Sequence, residues 1–278
     1  MKFIRFYLKI LSLLSPKLTV RQVYHFMSNP RIYKLREREE VVLAKSKQAT
    51  VPFRDFQLKK YEWGNPTHRK VLLVHGWQGQ AGNFAALIDV LLDLDYYVLA
   101  FDAPSHGKSS KRDTSMFEFG DFVADVVSTE RPEVVISHSF GSVSTASALR
   151  QNPDVPIAFW LVVTTPFSFR DRVQSVINRL GMSDKIMHLL LEKVENDRGE
   201  SIDELVMDYY CQQLPHVKDA LVVHSQQDRV IPIADSRRMH RGFPQSRLLE
   251  LDGLGHYSIL WSAELKEIVK DELSKVAI

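Results

Sequence analysis

Cysteine is almost missing from this chain: Cys211 stands alone among 278 residues. No internal disulfide can form, which suits a reducing compartment and excludes the small disulfide-stapled scaffolds. Nothing around Cys211 would lower its pKa, so it reads as core filler. Long apolar runs are missing too. Residues 3–14 fall short of the ~20 that a spanning helix requires, and Lys9 interrupts them. With Lys2 and Arg5 near its start this stretch has the look of a signal peptide, yet no A-x-A-like cleavage site follows. No set of His, Cys and Asp has metal-ligand spacing, so no metal is expected. The glycines of "GWQGQAG" lack both the Lys-Ser/Thr of a phosphate loop and the G-x-G-x-x-G spacing. No nucleotide or other cofactor is expected.

Net charge is only +2, but it is unevenly spread. Residues 1–50 hold eleven Lys or Arg against three Glu, so this stretch carries +8 and the remainder −6. No nucleic-acid motif accompanies these cations, and nucleic acid is not an expected partner. As a helix, residues 3–14 place Phe3, Tyr7, Leu11 and Leu14 on one face with Ile4 and Leu8, away from Lys2, Arg5 and Lys9. That face suits packing on the domain, which is the expectation. The rival is peripheral contact of residues 1–16 with an anionic membrane surface. The expected location is the cytoplasm, at the inner face of a membrane if the rival holds.

What is present after residue 50 is alternation. Buried-strand runs read at 71–76, 96–102, 133–138, 158–163, 220–225 and 246–251, after an earlier strand at 55–63. Helical patterns at 83–95, 114–130, 140–150, 234–241 and 260–276 fall between or after them. Such alternation predicts an α/β fold with a mostly parallel sheet and helices on both faces. From Pro166 to Pro215 no strand signal occurs over about fifty residues, far beyond an ordinary connection. Helices over 168–180, 184–195 and 201–213 make this an inserted cap. The expected organisation is a basic, partly amphipathic helical extension (1–50), a core (51–165 and 216–278) and a helical cap (166–215).

Functional groups of a parallel sheet collect at the carboxyl ends of its strands. One strand ends in "SHSFGS", close to the G-x-S-x-G turn that holds a serine over the sheet. Acyl transfer needs a nucleophile, a base, an acid to orient the base, and donors for the oxyanion. Ser139 is the candidate nucleophile. His256, on a Gly-flanked loop after the last strand, is the candidate base, and Asp228, after the preceding strand, orients it. The oxyanion donors would be the N–H groups of Trp77, after the His75-Gly76 turn, and Phe140, at a helix start. His75 reads as shaping that turn, His106 and His224 as structural, and His138 as pointing beneath the elbow. Trp160, Phe167 and Met187 are expected to line an apolar substrate pocket.

The stretches "HGWQGQAGNF", "DAPSHGKSS", "SHSFGS", "HSQQDRVIP" and "GLGHYSIL" together resemble the α/β-hydrolase superfamily, in its serine esterase and lipase branch. The resemblance covers residues 55–278. It implies the α/β-hydrolase fold, a Ser139–Asp228–His256 triad, an oxyanion hole from the Trp77 and Phe140 amides, and a helical cap after the sixth strand. Haloalkane dehalogenases and soluble epoxide hydrolases of this superfamily carry Asp at the elbow; here it is Ser. Two positions depart from the pattern: Ser105 and Ser137 stand where glycine is common. The elbow needs smallness, so Ser137 is expected to matter for size rather than chemistry. The expected function is a carboxylesterase acting on small or medium acyl esters through an acyl-enzyme. The alternatives are a thioesterase or acyltransferase at a membrane surface, and a non-hydrolytic binding or signalling protein on the same scaffold.

Overall fold

The computed structural model describes residues 2–276. Three helices lead the chain: α1 (Lys2–Leu14), α2 (Pro16–Ser28) and α3 (Glu37–Ala44). A hairpin follows, β1 (Lys47–Phe53) and β2 (Phe56–Trp63). Strands and helices then alternate as β3 (Lys70–Val74), α4 (Ala85–Asp93), β4 (Tyr97–Asp102), α5 (Met116–Glu130), β5 (Val134–His138), α6 (Phe140–Gln151) and β6 (Phe159–Val163). Between β6 and the next strand lie α7 (Phe169–Leu180), α8 (Asp184–Arg198) and the short α9 (Met207–Cys211). The chain closes with β7 (Ala220–Ser225), α10 (Ile233–Gly242), β8 (Ser246–Leu251) and α11 (Ala263–Lys275).

The eight strands form one sheet in the order β1-β2-β4-β3-β5-β6-β7-β8. The first two pair antiparallel and β3 to β8 run parallel. Its centre is apolar on both faces, as a sheet covered by helices on both sides requires. Val71 and Leu73 join Leu87 and Leu91 of α4 and Leu265 and Val269 of α11 on one face. Leu72 and Val74 join Phe122 and Val126 of α5 on the other. That second cluster runs on without a break into Val173, Ile177 and Leu190 of α7 and α8, and into Val20 and Val23 of α2.

Two elements differ from the sequence reading. Strand β1 was not foreseen, and it begins before residue 50. It is an edge strand with an exposed outer row, so apolar alternation is weak, and Pro52 is tolerated there because an edge strand does not need every N–H. The helix expected over 201–213 is broken into a 3₁₀ turn at Ile202–Glu204 and α9. Between them Val206 is extended and bridges to Ser168, which takes it out of any helix.

Candidate active site

The chain leaves β5 at His138 and enters α6 at Phe140, so Ser139 alone makes the turn. Its backbone sits at φ 56°, ψ −125°, a conformation that L-residues rarely adopt. Its N–H donates to the carbonyls of Thr164 (2.8 Å) and Val163 (3.1 Å), which holds the turn against the end of β6. Close approach makes the neighbouring glycine necessary. A Cβ on Gly141 would stand 2.5 Å from the carbonyl oxygens of Val74 and His75. Helix α6 therefore crosses β3 in direct backbone contact. Strain recurs nearby: Gln78, Ser105 and Thr164 also have positive φ, just beyond the carboxyl ends of β3, β4 and β6. Ser105 at φ 63° explains why glycine is common at that position.

Ser139, His256 and Asp228 meet in space although 117 residues separate the first two. Ser139 Oγ lies 3.0 Å from His256 Nε2, and His256 Nδ1 lies 2.7 Å from Asp228 Oδ2. Backbone N–H groups of Val230 (2.7 Å) and Ile231 (2.9 Å) donate to the other carboxylate oxygen. Burial by itself would raise the Asp228 pKa. Hydrogen bonds from His224 and His256, the charge of His256 and the Ile231 N–H outweigh it and hold the carboxyl well below its usual range. Asp228 is thus an anion poised behind a nearly buried imidazole. The loop carrying His256 is tied down by Ser225, whose hydroxyl donates to the Leu254 carbonyl at 2.7 Å.

The loop after β3, which carries Trp77, is braced by two neutral histidines. The His75 Nδ1–H donates to the Gly76 carbonyl (2.8 Å), while Nε2 accepts from the Ala103 N–H (3.1 Å). The His106 Nδ1–H donates to the Pro104 carbonyl (2.8 Å), while Nε2 accepts from the Gln78 N–H (3.1 Å). Burial, with repulsion from His75, pushes the His106 pKa down to about 3, so the ring stays an acceptor. The loop after β3 is thereby clamped to the loop after β4. Asp102 adds to the clamp, accepting from the N–H groups of Ala81 and Lys108, both at 2.8 Å, and from the Tyr61 hydroxyl at 3.0 Å. Gly76 brings the clamped loop to Ser139: a Cβ there would lie 3.0 Å from Ser139 Cβ. Among the described residues, no acceptor takes the N–H of Trp77 or of Phe140.

A cavity opens beside this site, lined by Met116, Phe117, Phe140, Val143, Phe167 and Phe169 among others. Phe167 thus lines the cavity, as expected of it. Two other expected pocket residues do not. Trp160 is fully buried in β6, packed on Phe243, with its indole N–H donating to Ser137 Oγ at 2.9 Å. Met187 is buried in α8 and lines neither this cavity nor the smaller one next to it. That second cavity shares Met116, Phe117 and Phe169 with the first and reaches Tyr24 and Met27 of α2. Cys211 is buried, which pushes its thiol pKa up and leaves it inert.

Three groups have contacts that the sequence does not announce. The buried His138 donates from Nε2–H to the His256 carbonyl at 2.9 Å, with the two rings 4.8 Å apart. Burial, with repulsion from His256, pushes its pKa down to about 3. His224 sits 3.5 Å from Asp228 Oδ2 and also bonds Ser236 and Ile231. The i,i+4 spacing of His224 and Asp228 at a strand end was the available signal. Ser137 has a chemical task. Its hydroxyl accepts from Trp160 and donates to Ser142 Oγ at 3.0 Å.

An eight-stranded, mostly parallel sheet with a serine on its sharpest turn and an Asp–His pair behind it is the architecture of an α/β hydrolase. The pattern describing the alpha/beta hydrolase family matches residues 71–270, and the chain belongs to that family. It is similar to the uncharacterized hydrolase YugF of Bacillus subtilis, at 24% identity over 82% of this chain and 98% of that protein. A serine hydrolase-like protein of Danio rerio is 29% identical over 52% of this chain and 46% of its own length. Among solved structures, the Pyrococcus furiosus esterase PF2001 superposes with a TM-score of 0.63 at 18% identity, covering 90% of this chain and 97% of that one. That likeness speaks to the fold.

Proposed function

We propose that the chain is a serine hydrolase of carboxylic esters with small or medium acyl groups, working through an acyl-enzyme. The observation that carries this reading is the unbroken line from Ser139 Oγ to His256 Nε2 (3.0 Å) and from His256 Nδ1 to Asp228 (2.7 Å). His256 takes the hydroxyl proton as Ser139 attacks the ester carbonyl. The negative charge that develops on the carbonyl oxygen is received by the N–H groups of Trp77 and Phe140. Asp228 stays ionised and stabilises the imidazolium. His256 then gives its proton to the departing alkoxide, and the alcohol leaves. A water, deprotonated by His256, attacks the acyl-enzyme, and collapse returns the proton to Ser139 with release of the acid. The cavity beginning at Phe140 is lined mostly by apolar side chains, which suits the acyl part of an ester.

A series of p-nitrophenyl esters of increasing chain length, with matched thioesters, tests the substrate class. The expected result is turnover of esters, rising from acetyl to medium chains, with the thioesters slower. A preference for the thioesters would transfer the same machinery to thioester chemistry. A folded protein inert towards every member would overturn the reading in favour of a binding role.

A further inference from the structure

Helix α1 presents two apolar faces, and only one is covered. Leu8 is buried, and the Arg5 side chain donates from Nε to the Arg179 carbonyl at the end of α7. The helix is therefore seated on α2 and α7 through Leu8, but Phe3, Tyr7 and Leu14, three residues of the face expected to pack, are exposed. The face turned outward is nevertheless apolar. Phe3 is 90% exposed, Leu13 81% and Leu14 78%, and Phe6, Tyr7 and Ile10 complete the stripe. At 100° per residue these six fall within one third of the helix circumference, so the stripe is continuous. Scattered exposed apolar residues are ordinary, but a contiguous patch of this kind marks a surface that is covered in use.

We infer that this face lies in the surface of an anionic lipid bilayer. Charge decides between the occupants. Lys9, Lys17 and Arg21 are exposed near the stripe, and among the described residues none pairs with a carboxylate. They belong to the first fifty residues, which carry +8. A second copy joined face to face would set one such basic segment against another, because a twofold interface presents the same patch twice. Anionic headgroups instead complement these cations while the acyl region receives the aromatic and aliphatic side chains. At 13 residues α1 cannot cross the bilayer, and among the described residues no helix is long and apolar enough to do so. It lies in the plane.

The second cavity places α2 in the same setting. Its lining includes Tyr24 and Met27 of α2, and it abuts the larger cavity at Phe117 and Phe169. An ester drawn from lipid would meet an apolar path on the side where α1 docks. That last step rests on the proposed ester chemistry; the docking does not.

Flotation of the full chain with vesicles of phosphatidylglycerol or of phosphatidylcholine tests it. The assay uses the Ser139→Ala protein, so that failure of the ester reading leaves the result unaffected. The expected outcome is flotation with phosphatidylglycerol only, weakened by salt. Phe6→Gln/Leu13→Gln should lower the partition by about tenfold or more. In the Ser139 background, the same double variant should melt normally and hydrolyse a water-soluble ester as before. Three results would overturn the inference: no flotation with either lipid, equal flotation of the double variant, or self-association that the double variant abolishes.

Discussion

Ser137 shows how a single side chain can look like a tolerated deviation and turn out to be employed. From the sequence, its smallness beside a crossing helix accounted for it. In the structure, Trp160 buries an indole N–H with Ser137 Oγ as its acceptor, and Ser142 receives the Ser137 proton. The partner lies on the adjacent strand, 23 residues away, where no local pattern could announce it. Ser137→Ala should therefore cost about 1–3 kcal/mol, the price of an orphaned buried donor. Trp160→Phe in the same protein should recover part of that loss. Urea unfolding of the two single variants and the double variant measures the coupling, and strictly additive losses would contradict the account. His138 teaches a similar lesson. Its type and position were legible, but its contact with the His256 carbonyl depends on a loop 118 residues away.

The elements were more legible than the side chains between them. Strands β3 to β8 are short apolar runs bounded by polar or turn residues, so each showed in the sequence within a residue or two of its observed span. A half-exposed edge strand carries no such signal, which is why β1 escaped. Pocket walls escaped for another reason. Trp160 sits early in β6, on the face beneath the elbow, whereas Phe117 and Phe169 reach the cavity from the starts of α5 and α7. Which apolar residues face a cavity depends on how helices seat, and periodicity does not report that. The crossing of α6 over β3 is the element-scale feature on which the site depends. Gly141→Ala would push a methyl group into two backbone carbonyls that cannot yield, at a cost of about 1–3 kcal/mol or more, and would displace Ser139. Gly120→Ala is the control. Nothing lies within 4 Å of its Cβ position in α5, so stability should hold or rise by about 0.5–1 kcal/mol. Chemical denaturation reads both variants, and equal effects on stability would contradict the packing argument.

At the scale of the whole molecule, the buried histidines make stability depend on acidity. His106 and His138 are pushed down to about 3 by burial, whereas an unfolded chain titrates histidine near 6.5. Between those values the unfolded state binds more protons, so stability rises with pH there and is lost as pH falls below about 6.5. Above that value the two rings contribute no slope. Each should remove about 2 kcal/mol by pH 5. His138→Gln keeps a donor for the His256 carbonyl but cannot titrate. Its melting temperature should fall less than that of the natural chain between pH about 7.5 and 5. An identical fall would show that the His138 proton is not excluded by the fold.

Whether Ser139 is an activated nucleophile decides the central claim, and a fluorophosphonate probe reports on it directly. The probe is attacked by a serine only when a base has prepared it, and it leaves a covalent mark that peptide mass spectrometry can place. The account predicts one mark per chain, on the peptide containing Ser139. The mark should vanish in Ser139→Ala, and its formation should be slowed by about 10³-fold or more in His256→Ala. Labelling of Ser139 at the same rate without His256, labelling that persists in Ser139→Ala, or no labelling of the folded chain would contradict it.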